Sequence, residues 1–198
     1  NSIDYVIAYY STMVAGGVVV ALNTAAKSRD ILNWLHHSGA RFLILDASHP
    51  EFAAVHAALD GADISIVVRG GGAADTGEFG WHDAVSYTSA LTGLDHVRPD
   101  ALASIIYTSG TTGNPKGVSL SHANLASNVG SILEYLDLRA SDSIVNILPF
   151  FYSYGNSILH THLAAGARVV LEKSMMYPAQ VLNSMARESV TGFSGVPS

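Results

Sequence analysis

The chain has 198 residues, 48% of them hydrophobic and 13% charged, with 10 Lys+Arg against 16 Asp+Glu and no cysteine. That length suffices for one domain or two small subdomains with a buried core, and so apolar a chain is not a disordered one. A formal charge of −6 with scattered cations excludes a nucleic-acid footprint, while the lack of cysteine excludes a disulfide framework, a thiolate nucleophile and a Cys-ligated metal.

The longest apolar run, residues 13–22, is about half the ~20 residues needed to span a bilayer and contains Gly16 and Gly17. No membrane span is expected, and a cytoplasmic setting fits a cysteine-free chain. The opening NSIDYVIAYY lacks an initiator Met and the basic-then-apolar layout of a signal peptide, so the chain reads as part of something longer.

In chain order, Ser2 can cap a helix to about Ala15, with Ile3, Val6, Ile7, Tyr10 and Val14 at helical spacing. GVVVAL (residues 17–22) follows as a strand without alternation, the pattern of burial on both faces in a parallel sheet. The spacing then predicts a helix over 28–37, a strand over 41–46, a helix opening at Pro50 and a strand over 63–69. Residues 70–79 are small and aperiodic and read as a solvent loop, with a short segment at 81–87 after it. A polar connection ends at Pro99. A second series predicts a strand at 101–108, a Gly/Thr-rich loop, a strand at 117–121, a helix capped by Ser121 to about Leu136 and a strand at 143–148. A helix at 154–164, a strand at 167–172 and a helix at 178–188 complete it. This alternation predicts an α/β fold with parallel-rich sheets flanked by helices, divided into subdomains 1–95 and 96–198.

The chemistry lies in YTSGTTGNPKG, residues 107–117. Its three glycines let backbone N–H groups converge on an anion, Thr108, Ser109, Thr111 and Thr112 add hydroxyls, and Lys116 adds a point charge. A Walker A loop would need Gly-Lys-[Ser/Thr], but here Pro115 precedes Lys116 and Gly117 follows it. Because the loop joins two strands, a helix dipole cannot be its main electrostatic contribution.

This ordered string resembles the phosphate-binding motif of the adenylate-forming superfamily, which includes acyl-CoA synthetases, fatty acyl-AMP ligases, luciferases and peptide-synthetase adenylation domains. The likeness covers essentially the whole chain. Residues 9–23 (YYSTMVAGGVVVALN) are similar to an early family segment, SHANL (121–125) to its helix start, LPFFYSYGNS (148–157) to the segment lining the acyl and pantetheine sites, and GFSGVPS (192–198) to the strand before the far wall of the acyl pocket. The resemblance implies an ATP-dependent, AMP-forming ligase that converts a carboxylic acid to acyl-AMP with Mg2+ and passes the acyl group to a thiol. Carried over position by position, Thr108, Ser109, Gly110, Thr111, Thr112, Gly113 and Lys116 grip the phosphates, while Tyr152 and Gly155 line the substrate channel.

The family's adenine-stacking aromatic, its magnesium-holding Thr-Glu, its ribose-binding Asp and its mobile C-terminal domain with the catalytic Lys all fall beyond Ser198. The chain alone is therefore expected to be inactive, with its main magnesium contact and a complete catalytic set outside it. An exposed sheet edge or apolar face would favour self-association. CoA or a carrier-protein phosphopantetheine are both open as the thiol; the alternatives are the adenylation domain of a carrier-protein assembly line and a non-catalytic nucleotide- or partner-binding module.

Tyr152 stands where many of the family's acyl-CoA synthetases have His, and where amino-acid-activating members place an Asp after a Phe. A neutral phenol cannot offset the desolvation of an α-ammonium as a carboxylate does, so fatty, aryl or other simple organic acids are expected. The nine histidines show no metal-ligand spacing; His160 and His162 lie two apart on a predicted helix and face different ways. Asp46, Asp63 and Asp142 sit at strand or loop ends and form no catalytic pair.

Overall fold

The computed structural model describes residues 1–70, 79–87, 97–108 and 116–196. Helix α1 (Ile3–Val14) starts at Ser2, whose Oγ accepts the Tyr5 N–H at 3.1 Å, and the chain turns out of it at Gly16 with φ of 75°. Its buried face is not the aliphatic stripe that helical spacing suggested. Ile3, Ile7 and Val14 are exposed, whereas Tyr9 is buried and Tyr5 stacks on both Tyr9 and Phe150. Aromatic area and hydroxyls that can reach partners outweigh the smaller aliphatic side chains at this contact.

Strands β1 (Val19–Ala21), β2 (Phe42–Asp46) and β3 (Ser65–Arg69) alternate with helices α2 (Ser28–Ser38) and α3 (Phe52–Leu59). A strand β4 (Phe79–Gly80) follows, then α4 (Trp81–Ser86). β2, β3 and β4 form one parallel sheet, in which Val67 is opposite Phe79. Phe79 thus belongs to a strand rather than to the predicted loop, the rest of which, 71–78, lies outside the described residues. On one face of this sheet Leu43, Leu45, Ile66 and Val68 pack with Ile31 and Leu35 of α2 and Val55 and Leu59 of α3, all buried. The opposite face leaves Phe42 and Ile44 exposed, so β2 is covered on one side only. Arg69 closes the end of the sheet: it donates to Asp46 and, at 2.6 Å, to Asp4 of α1, which also accepts the Trp81 Nε1–H at 3.0 Å. Those charged hydrogen bonds, Arg69 first, hold the Asp4 carboxyl below its ordinary pKa.

Strand β5 (Leu102–Thr108) runs parallel to β1 and antiparallel to β6 (Lys116–Ser121), so this second sheet draws on both sides of the division at residues 95 and 96. After α5 (His122–Leu136), strand β7 (Ser143–Asn146) lies between β8 (Arg168–Leu171) and β9 (Gly192–Phe193) in a third, parallel sheet. All four residues of β7 are buried, as its unalternating sequence predicts. β7 stops short of Leu148 because the Asn146 side chain bends the chain, donating to the Leu148 carbonyl at 2.9 Å and accepting its N–H at 3.3 Å. Helices α6 (Ser153–Ala164) and α7 (Pro178–Arg187) complete the order. The parallel sheets flanked by helices are those expected. No helix among the described residues is long and apolar enough to cross a membrane.

Candidate functional site

Strands β5 and β6 pair as antiparallel neighbours on either side of the segment expected to bind an anion. Ala103, Ser104, Ile106 and Tyr107 root β5 in the interior, while Thr108 and Lys116 face each other at the exposed open end. Ser109, Gly110, Thr111, Thr112 and Gly113 lie outside the described residues. One register step below Thr108 and Lys116, Tyr107 pairs with Gly117. A Cβ on Gly117 would sit 2.7 Å from Ile105 Cγ2, a clash, and 3.5 Å from the Tyr107 ring, an ordinary contact, so it is Ile105 that a side chain here would displace.

At the far end of β6, α5 begins with every one of its first four N–H groups already paired. Ser121 N–H donates to Asn124 Oδ1 at 3.0 Å and Asn124 N–H returns to Ser121 Oγ at 3.1 Å; His122 N–H donates to the Ala101 carbonyl at 3.1 Å and Ala123 N–H to that of Pro99 at 2.7 Å. A helix start free for anion binding presents these groups to the ligand. Here none is left, so this helix start offers no free N–H to an anion.

The second predicted site segment is pinned by backbone-directed contacts. Asn1 Nδ2 donates to the Leu148 carbonyl at 2.8 Å, Phe150 N–H donates to Asn1 Oδ1 at 2.9 Å, and the Tyr5 hydroxyl donates to the Phe150 carbonyl at 3.3 Å. Phe150 is core, 1% exposed. Tyr152 is different: it is half exposed, its ring lies 4.4 Å from that of Phe151, and its carbonyl accepts the Asn156 N–H in the first turn of α6. Gly155 is buried where a Cβ would be driven into the Pro149 carbonyl oxygen and within 2.8 Å of that of Leu148. Glycine is therefore what lets α6 start so close to the strand exit. Tyr152 and Gly155 lie beside the β7 sheet and Lys116 in the β5 sheet.

The family profile of AMP-binding enzymes matches residues 1–198. The chain belongs to this family. It is 31% identical over 196 residues to 4-coumarate–CoA ligase 5 of Oryza sativa subsp. japonica, covering 96% of the chain and 35% of that protein. Among solved structures it resembles apo MatB from Rhodopseudomonas palustris, with TM-score 0.84, 27% identity and coverage of 100% of the chain and 37% of MatB. The ATP-bound form of MatB gives TM-score 0.80 and 31% identity over 100% of the chain and 38% of the neighbour. The chain spans little more than a third of the length of each of these proteins.

Within this family member, several contacts near these segments are not encoded in local sequence patterns. Trp34 and His37 of α2 contact Tyr107, the residue before Thr108, and a sequence separation of about 70 residues gives no local signal of it. Asn156 is 3% exposed, and neither amide atom has a hydrogen-bond partner among the described residues. His160 and His162 do point apart, yet both are buried. His160 lies 2.7 Å from the Tyr10 hydroxyl and 3.2 Å from that of Tyr9, whereas His162 Nδ1 lies 2.9 Å from the Ile158 carbonyl of its own helix. Burial lowers the His160 pKa to about 4, so the ring is neutral at pH 7. It borders an open, mainly apolar groove of about 430 Å³ formed with Tyr10, Met13, His122, Leu125 and Val129. No group of three His, Asp or Glu among the described residues is placed to hold a metal ion.

Proposed function

We propose that the protein carrying this chain is an AMP-forming acid–thiol ligase acting on a carboxylic acid, ATP and CoA. A carboxylate oxygen attacks the α-phosphorus of ATP, the bond from that phosphorus to the bridging oxygen breaks, and pyrophosphate leaves; a thiolate then attacks the acyl carbon and AMP departs with its electron pair. The observation that carries this reading is that Thr108 and Lys116, two residues of the TSGTTGNPKG motif, stand opposite each other at the open end of a core-rooted strand pair. The first step brings two anions together, so charge on the departing phosphates must be held and offset. Lys116 supplies the ammonium and Thr108 a hydroxyl donor, with Ser109, Gly110, Thr111, Thr112 and Gly113 completing the grip. Magnesium would travel with the nucleotide phosphates, and this reading assigns it no ligand among the described residues.

The CoA ligases among the relatives favour CoA over a carrier protein as acceptor. Tyr152, half exposed at the start of α6 with Gly155 beneath it, is assigned to the acyl or pantetheine channel. With no carboxylate at that position, the substrate is an acid without an α-amino group. In the whole protein, Lys116→Ala is expected to slow acid-dependent ATP–pyrophosphate exchange by roughly 10- to 10³-fold, yet leave thiol transfer from supplied acyl-AMP nearly intact, because the phosphates held by the loop have already left. Equal loss in both half-reactions would refute the assignment. Exchange assayed with α-amino acids beside their des-amino analogues tests the channel: faster turnover of the amino acids would overturn the role given to Tyr152.

A further inference from the structure

We propose that Tyr107, clamped by Trp34 and His37, is the positioning residue that fixes the phosphate-binding hairpin against the packed core; this rests on reading the hairpin as the phosphate site. Tyr107 is only 9% exposed, and its hydroxyl lies 2.8 Å from His37 Nδ1 and 3.4 Å from the Trp34 carbonyl. Its ring stacks on the Trp34 indole with centroids 5.6 Å apart and planes at 24°, and the His37 ring meets it edge-on at 5.7 Å. Across the hairpin the ring is opposite Gly117, its register partner on β6.

The clamp is joined to rigid structure on one side and to the donors on the other. Ile31 and Leu35, on the adjoining face of α2, are each 3% exposed within the β2–β3 core, so Trp34 and His37 project from a fixed helix. Along β5 successive side chains alternate faces. Tyr107 therefore turns toward α2 while Thr108, and Lys116 opposite it, turn the other way. Holding Tyr107 sets where the two donors stand, and misplacement by a fraction of an ångström weakens contacts to a transferring phosphoryl group. The Tyr107 hydroxyl, on a side chain 9% exposed, has His37 Nδ1 as its nearest partner at 2.8 Å, so the hydroxyl–imidazole contact is the one to break.

The whole protein is assayed as Tyr107→Phe, His37→Ala, His37→Gln, the Tyr107→Phe/His37→Ala double variant and Lys116→Ala, following pyrophosphate exchange against ATP concentration and, separately, thiol transfer from supplied acyl-AMP. Tyr107→Phe and His37→Ala are each expected to lower kcat/KM for ATP in exchange by roughly 3- to 10-fold while changing thiol transfer less than about twofold. The double variant should be no worse than the poorer single one, and His37→Gln, which can still reach the hydroxyl, should recover part of the loss. Losses shared equally by both half-reactions would show a folding role only and overturn the proposal, as would full additivity, or unchanged exchange in the clamp variants when Lys116→Ala is impaired. If Lys116→Ala leaves exchange unchanged, the phosphate reading fails and the positioning role falls with it.

Discussion

Helices α2 and α5 carry similar apolar spacing but owe their stability to different things. α2 gets no cap from its own N-cap side chain, Lys27; its Ser28 N–H donates instead to Glu51 Oε2 at 3.1 Å, it ends on Gly39 in the left-handed region, and Ile31 and Leu35 are sunk into the β2–β3 core. α5 is longer, 15 residues against 11, and not one of its residues is buried. Its start is fully hydrogen-bonded, and its flank touches α6, where Ser157 Oγ donates to Asn128 Oδ1 at 3.0 Å. Apolar periodicity marks which face of a helix is available for burial, and the rest of the fold decides whether that face is used.

Truncation experiments should separate the two helices most widely. Leu35→Ala, removing a fully buried side chain of α2, is expected to cost about 2–5 kcal/mol. Leu125→Ala, on the half-buried flank of α5, should cost less than about 1 kcal/mol, since little area is lost. Denaturant unfolding monitored by tryptophan fluorescence suits the first, because Trp34 lies on α2 itself. Equal costs would mean that α5 is packed as α2 is, and the contrast would be lost.

Acid should sharpen the contrast from the α6 side. His160 has a folded pKa of about 4 against 6.5 for the free side chain, so the folded state binds fewer protons. Its contribution is whole above about pH 6.5 and falls as pH drops toward 4, by about 3 kcal/mol in all. Asp4, whose pKa is lowered from 3.8, acts only below that range, where protonation removes its bond to Arg69. Between pH 6.5 and 4.5 the α1–α6 contact should therefore gain hydrogen exchange before the α2–α3 core does. His160→Gln should flatten the slope in this window; an unchanged slope would assign the acid sensitivity elsewhere.

The same physics explains what the sequence disclosed. Element order, the parallel strands, the Ser121 cap and the hairpin that carries the loop depend on local patterns: apolar runs, capping side chains, Gly and Pro. The buried face of α1 was not legible, because the partners that select Tyr5 and Tyr9 over Ile3 and Ile7 lie near Phe150 and His160, about 150 residues away. β4 escaped notice because two residues carry no period, and Phe79 is placed only by pairing with Val67. At the candidate site, the residues proposed to bind the anion stand in one ordered motif, residues 107–117. The contacts of Trp34 and His37 with Tyr107, and the close approach that requires Gly155, are long-range or backbone facts that no spacing encodes.

The smallest expected effect tests whether α5 is held from its start. In the absence of buried side chains, the four N–H groups of its first turn are the best-satisfied part of the helix, two by backbone carbonyls of Pro99 and Ala101 and two by the reciprocal Ser121–Asn124 pair. Ser121→Ala removes the acceptor of the Asn124 N–H and leaves the carbonyl bonds in place, so the loss should be about 1 kcal/mol. Ser121→Asp keeps an acceptor and should lose only a few tenths of that. Because the Asn124 side chain acts through the same pair, Asn124→Ala combined with Ser121→Ala should cost less than the two single changes added together. Amide exchange at Asn124 and Leu125 reads the effect where it arises. If Ser121→Ala instead destabilises α5 by as much as Leu35→Ala destabilises α2, the helix start is carrying tertiary structure, and capping alone does not describe what holds α5.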